Sequence, residues 1–110
     1  MKKDIPVFDR DSLMERMGGD EKFVKEVINI FLMDAPLQMS AIKESIEKKD
    51  VEGILTHAHT LKGAAANVDA LTMREICISI ENSARQGSTD NAEMMLESLL
   101  LEYERFKKII

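Results

Sequence analysis

The stretch Val51-Glu52-Gly53-Ile54-Leu55-Thr56-His57-Ala58-His59-Thr60-Leu61-Lys62-Gly63-Ala64-Ala65-Ala66-Asn67-Val68 decides the fold. Val51, Ile54, Ala58, Leu61, Ala65 and Val68 recur every three or four residues, which is one apolar stripe on a helix. The stripe is narrow, like the seam of a helical bundle. Asp50 stands before it as an N-cap, because its carboxylate can accept from the free amides of the first turn. The spacing predicts a helix over about 51–68.

The flanking segments read the same way. Asp9 to Met17 form a short helix ended by Gly18-Gly19, and Asp20 caps the next one. That helix runs from about Glu21 to Met33, with Phe23, Val27, Ile30 and Phe31 as its stripe. Val24, Ile28 and Leu32 widen it into an arc broad enough for two neighbouring helices or for a partner. Asp34-Ala35-Pro36 reads as a restart, since proline belongs in a first helical turn; the alternative is one long helix kinked at Pro36. A third helix then reaches about Lys48 with Met39, Ile42 and Ile46 facing inward. Beyond the central stretch, Ala70 to Gln86 carries Met73, Ile76, Cys77, Ile80 and Ala84, and Gly87 ends it at positive φ. Ser88 or Thr89 opens the last helix, striped by Ala92, Met95, Leu96, Leu99, Tyr103, Phe106 and Ile110.

No segment alternates with period two, so the expected class is all-α. Short connections between long amphipathic helices make antiparallel neighbours. The expectation is an antiparallel up-and-down four-helix bundle, built from the last four helices, with one or two additional N-terminal helices packed across it. At 110 residues the chain is one domain, folded over about 8–108. With no Trp, one Tyr and eight Met, its core is mainly aliphatic.

Composition excludes several roles. A net charge of −5 argues against a nucleic-acid partner, which asks for a basic face. The single cysteine, Cys77, permits no internal disulfide and fits a reducing compartment. Met1-Lys2-Lys3 leads into Asp4-Ile5-Pro6 without the apolar core of a signal peptide, and no apolar run approaches the ~20 residues of a membrane span. A cytoplasmic monomer without a membrane segment is expected.

The chemistry sits on the central helix. With ~100° per residue, His59 lies roughly 130° from the centre of the stripe, exposed but rooted beside packed residues. Lys62 and Gly63 follow at three and four residues and share its surface. Together they supply a nucleophile, a cation and a place with no side chain. A glycine inside a helix costs roughly 1 kcal/mol relative to alanine, so its presence suggests that a side chain would obstruct something. Such a patch suits a histidine that carries a phosphoryl group and must be reached by another protein. Taken singly, each residue has a plainer reading: an exposed histidine is usually surface, a helical glycine is often a packing contact, and a lysine is usually solvated. His57 and His59 point about 200° apart and cannot chelate one ion together, so no metal site is expected.

Ala58-His59-Thr60-Leu61-Lys62-Gly63-Ala64-Ala65-Ala66-Asn67-Val68 resembles the signature of histidine-containing phosphotransfer (HPt) domains. Gly18-Gly19-Asp20 before an apolar helix, and Ile80-Glu81-Asn82-Ser83-Ala84-Arg85-Gln86-Gly87 after the histidine, extend the resemblance over about residues 8–108. It implies a phosphorelay intermediate. His59 would take a phosphoryl group from a receiver-domain phosphoaspartate, through Nε2, and pass it to another receiver aspartate. Lys62 would stabilise the group and Gly63 would give access. Glu81 falls where the family often has Gln or Glu near the histidine; its plainer reading is a solvated charge paired with Arg85. The implied partners are receiver domains of a hybrid sensor kinase or a response regulator. The chain would need no cofactor, the Mg²⁺ belonging to the receiver. From the surplus apolar arc, Ile28, Leu32 and Leu55 are the expected docking residues. Asp69 stands where the family usually has Gly, and Ala64 where Ser is common. Asp69 would cap the following helix while Asn67 or Val68 ends the preceding one. Two alternatives share the sequence: a phosphotransfer domain of a chemotaxis-type kinase, phosphorylated from ATP by a separate kinase domain, and a helical interaction module that is never phosphorylated.

Overall fold

A computed structural model describes residues 4–110 of the chain. Met1 to Lys3, the first residues of the segment weighed above as a signal peptide, lie outside them. Five helices follow in order: α1 (Arg10–Arg16), α2 (Glu21–Glu47), α3 (Val51–Asn67), α4 (Leu71–Arg85) and α5 (Ala92–Ile109), with no strand among the described residues. α2 packs on α3, α3 on α4 and α4 on α5, and α5 closes against α2. These four form the up-and-down bundle, and α1 is the one additional helix.

Two acidic caps stand where the sequence places them: Asp20 accepts from the Phe23 amide at 3.1 Å and Asp50 from the Gly53 amide at 3.0 Å. Asp9, expected as the first residue of the first helix, instead caps it, accepting from the Ser12 amide at 3.1 Å. Gly87 ends the α4 turn at φ 77°. The last helix opens later than expected, at Ala92. Ser88 Oγ accepts from the Asp90 amide at 3.2 Å and the Thr89 carbonyl from the Ala92 amide at 3.2 Å, which spends these residues on a turn.

The expected restart at Asp34 does not occur: α2 is one 27-residue helix with Pro36 inside it. Proline has no N–H to give the carbonyl four residues back, and a buried carbonyl left alone is costly. Here that carbonyl belongs to Leu32, and it accepts from the Tyr103 hydroxyl of α5 at 3.1 Å. A side chain from across the bundle replaces the missing helical bond.

The core runs the length of the bundle through Leu13, Val24, Phe31, Ile42, Ile54, Leu61, Met73, Ile80, Leu99 and Phe106. Phe106 meets Phe8 and Phe31 in T-shaped pairs, with ring centroids 5.2 and 5.3 Å away. On α2 the buried stripe is Val24, Ile28, Phe31, Ala35, Met39 and Ile42. Phe23 and Ile30, expected in the core, lie outside. The apolar arc offered two adjacent centres, and the continuous helix buries the one that runs straight on into Ala35, Met39 and Ile42. Ile110, also expected inside, is exposed at the end of the chain.

Asp69 caps nothing on α4, whose N-cap position is Ala70 without a side-chain bond. It sits at φ 56°, in the left-handed region that glycine enters more cheaply. Its carboxylate is held instead by α1: Arg16 Nη2 lies 2.6 Å from Oδ2 and Ser12 Oγ donates to Oδ1 at 3.3 Å. The same guanidinium nitrogen donates to the Asn67 carbonyl at 3.0 Å. α3 has no basic residue in its own last turn, so Arg16 brings a cation to the negative end of that helix. Asp69 thereby fastens α1 over the α3–α4 turn.

Candidate functional site

The site is built where α3 and α4 lie side by side. The apolar stripe of α3 faces the core through Ile54, Ala58, Leu61 and Ala65, which turns His59 outward. Its side chain is 66% exposed. The stripe of α4 faces the same core through Met73, Cys77, Ile80 and Ala84. Glu81 comes four residues after Cys77 and three before Ala84, so helical geometry carries its carboxylate inward between the two helices. Glu81 is only 1% exposed.

Three donors converge on that carboxylate. His59 Nδ1 lies 3.0 Å from Oε2, Lys62 Nζ lies 2.7 Å from Oε1, and Arg85 Nη2 lies 3.2 Å from Oε2. Burial alone would raise the Glu81 carboxyl, but the bonds from Lys62 and His59 outweigh it and hold the group below the ordinary carboxylate value. Glu81 is therefore ionised and can only accept. A neutral His59 ring must then carry its proton on Nδ1, which leaves the Nε2 lone pair free. The buried carboxylate fixes which nitrogen of the exposed neutral ring keeps its lone pair.

The Cys77 thiol, by contrast, is pushed up to about 12 by burial, with the nearby Glu81 charge adding to the effect. It stays protonated and offers no thiolate chemistry.

Gly63 lies one turn past His59, and a Cβ built there meets nothing within 4 Å. No helix of the bundle needs the glycine, so its bareness is directed outward. Gly53 is the packing glycine of α3: a Cβ there would come within 2.5 Å of Ser45 Oγ and 2.6 Å of Asp50 Oδ2. His57 sits on the opposite flank of α3, with Nδ1 3.0 Å from Gln38 Oε1 of α2.

The structure thus brings His59, Lys62, Gly63 and Glu81 into one place. It separates the expected docking residues. Leu55 lies half-buried on α3, one turn before His59. Ile28 is only 6% exposed and lines a small hollow with Arg10 and Ile110, so it belongs to the core and offers no docking surface. Leu32 is half-buried, and its backbone meets Tyr103 of α5. The apolar surface that α2 does present is Phe23, Ile30, Met33 and Leu37, at 46%, 65%, 75% and 68% exposure. Sequence reasoning undervalued Glu81 and Arg85. The signal was present in the position of Glu81 between Cys77 and Ala84, inside the buried arc.

Among the described residues no helix is long and apolar enough to cross a membrane. Comparison with known proteins agrees with the geometry. The phosphorelay intermediate protein rdeA of Dictyostelium discoideum is 25% identical over 103 residues, covering 94% of this chain and 41% of that protein. Multistep phosphorelay regulator 1 of Schizosaccharomyces pombe is 30% identical over 81 residues, covering 73% of this chain and 28% of that protein. The chain spans less than two thirds of the length of these curated relatives. Among solved structures, histidine-containing phosphotransfer protein B from Pseudomonas aeruginosa PAO1 superposes with a TM-score of 0.88 at 21% identity, covering 96% of this chain and 92% of that one. A histidine-containing phosphotransfer protein from maize gives 0.80 at 22% identity, covering 94% and 78%. The Hpt domain family model matches residues 26–108, and the chain belongs to that family.

Proposed function

We propose that this chain is a phosphorelay intermediate whose His59 accepts a phosphoryl group from a receiver-domain phosphoaspartate and hands it to the aspartate of another receiver. The observation that carries the reading is the exposed ring whose Nδ1 is anchored on the buried Glu81 carboxylate at 3.0 Å. The Nε2 lone pair attacks phosphorus in line as the acyl phosphate P–O bond breaks, and the receiver carboxylate leaves with the bonding electrons. The Nδ1 proton stays where it is. The ring becomes more positive as the N–P bond forms, and Glu81 stabilises that charge. Positioning and electrostatics carry such a transfer. The bivalent cation belongs to the receiver; this chain supplies the acceptor half of a shared site.

Docking follows from the two flanks of α2. Gln38 marks the flank that meets α3, and Leu32 the flank that meets α5. At ~100° per residue, Phe23, Ile30, Met33 and Leu37 fall within about 80° of one another; Phe23, Ile30 and Leu37 lie nearer the Gln38 flank, and Met33 forms the outer edge of the stripe. Between positions 56 and 64 of α3, the residues that lie between the His57 flank and His59 are Thr56, Thr60, Gly63 and Ala64, all small. A receiver resting on this low surface has the α2 stripe on one side and the His59 ring on the other. This face replaces Ile28 and Leu32 in the docking account.

The test is transfer from a phosphorylated receiver domain to the purified chain at subsaturating concentration. Wild type takes up acid-labile, base-stable label. Met33→Asp, which changes only an exposed side chain, slows uptake about tenfold, in the range of one interface anchor, and leaves the thermal midpoint in place. Absence of label on wild type contradicts the reading, and an unchanged rate in Met33→Asp removes the α2 stripe from it.

A further inference from the structure

Lys62 is already engaged by one anion before any phosphoryl group arrives. Its ammonium lies 2.7 Å from Glu81 Oε1. Glu81 is fully enclosed and cannot follow, whereas Lys62 is 28% exposed on a flexible stem, three residues from His59 on the same helix. Phosphorylation of His59 places about two negative charges beside that stem. Two anions then compete for one lysine. If Lys62 leaves, Glu81 would remain as a buried carboxylate held by the ring N–H alone, and a buried charge without a cation is costly.

Arg85 resolves the competition. It comes from α4, one turn past Glu81, and reaches Oε2 at 3.2 Å, the oxygen that Lys62 does not use. Resting on the phosphorylation reading above, we infer that Arg85 is a positioning residue: it keeps Glu81 neutralised so that Lys62 can exchange from the carboxylate to the phosphoryl group. Glu81 then has two counterions in the resting chain and one in the phosphorylated chain, and never none. The guanidinium suits the task because it is always charged and, at 56% side-chain exposure, needs little burial of its own. The need arises from the charge of Glu81. An amide at that position would hold His59 Nδ1 through its carbonyl without binding Lys62 as an ion, and Arg85 would then have nothing to neutralise.

This gives a test with its own control. Phosphoramidate serves as the phosphoryl donor, since so small a molecule needs no docking face; His59 Nε2 displaces ammonia from phosphorus, and the ammonia takes its proton from water. The uptake rate is measured for wild type, Arg85→Met, Arg85→Lys, Glu81→Gln and the Glu81→Gln/Arg85→Met pair, with the thermal midpoint of each. Arg85→Met is expected to slow uptake about tenfold in the Glu81 background, a coupling ordinary for groups in one network. Arg85→Lys restores most of the rate. In the Glu81→Gln background the same Arg85→Met change has less than a twofold effect. Equal slowing in both backgrounds overturns the inference, because Arg85 would then act on the phosphoryl group or on the fold directly. No slowing in either background overturns it too. A wild-type chain that takes no label fails earlier and contradicts the phosphorylation reading itself; labelled wild type with uncoupled variants contradicts only the role of Arg85.

Discussion

His59→Gln is expected to abolish uptake of the phosphoryl group and to leave the fold standing. The ring is two-thirds exposed, and among the described residues its polar contact is with Glu81. Removing it orphans nothing, because Glu81 keeps Lys62 on one oxygen and Arg85 on the other. A glutamine amide can still donate to Oε2, but it has no lone pair able to attack phosphorus. The thermal midpoint should therefore move little, as for surface substitutions within about 0.5 kcal/mol, while label from a phosphorylated receiver falls to background. Label that persists on the variant would move the site elsewhere. His57, bonded to Gln38 on the other flank, would be the first residue to examine.

Phe106→Ala acts on the other end of the account, the stability of the bundle. Phe106 is fully buried, and its ring meets those of Phe8 and Phe31 edge to face at interplanar angles of 78° and 74°. It joins α5 to α2 and to the segment that leads into α1. Truncation loses the burial of the ring, both aromatic contacts and the packing around the hole that remains. The expected cost is about 3–5 kcal/mol, a large share of the roughly 5–15 kcal/mol that holds a domain of this kind together. Urea unfolding measures it as a lower midpoint with an unchanged slope. A loss under about 1 kcal/mol would mean that the surrounding side chains collapse into the space, and that the three rings do not hold the bundle as assigned.

Much of the fold was legible because its determinants are local. Asp20 and Asp50 sit beside the amides they cap, Gly87 sits in the turn it permits, and the α3 seam is written at three- and four-residue intervals. The parts that were not legible depend on partners far along the chain. Pro36 reads as a break until Tyr103, 71 residues from Leu32, supplies the bond that the proline removes. Asp69 reads as a cap until Arg16, 53 residues away, claims its carboxylate. The choice between Phe23 and Val24 as the inward edge of α2 is not local either, since the apolar arc there serves both. Within the site, His59, Lys62 and Gly63 lie on one helix at neighbouring positions, so their spacing was enough to group them. Glu81 lies 22 residues away on another helix. Its place in the buried arc of α4 was readable, but what makes burial tolerable, two cations and a ring N–H, comes together only when α3 and α4 pack.

On the proposed reading, Glu81 is also what turns an exposed histidine into a directed nucleophile. The most direct measurement is the nitrogen NMR spectrum of the His59 ring in the phosphorylated chain, read through its coupling to phosphorus. The account predicts phosphorus coupled to Nε2 of His59, with a proton retained on Nδ1. Phosphorus coupled to Nδ1, or to any atom outside His59, would contradict it.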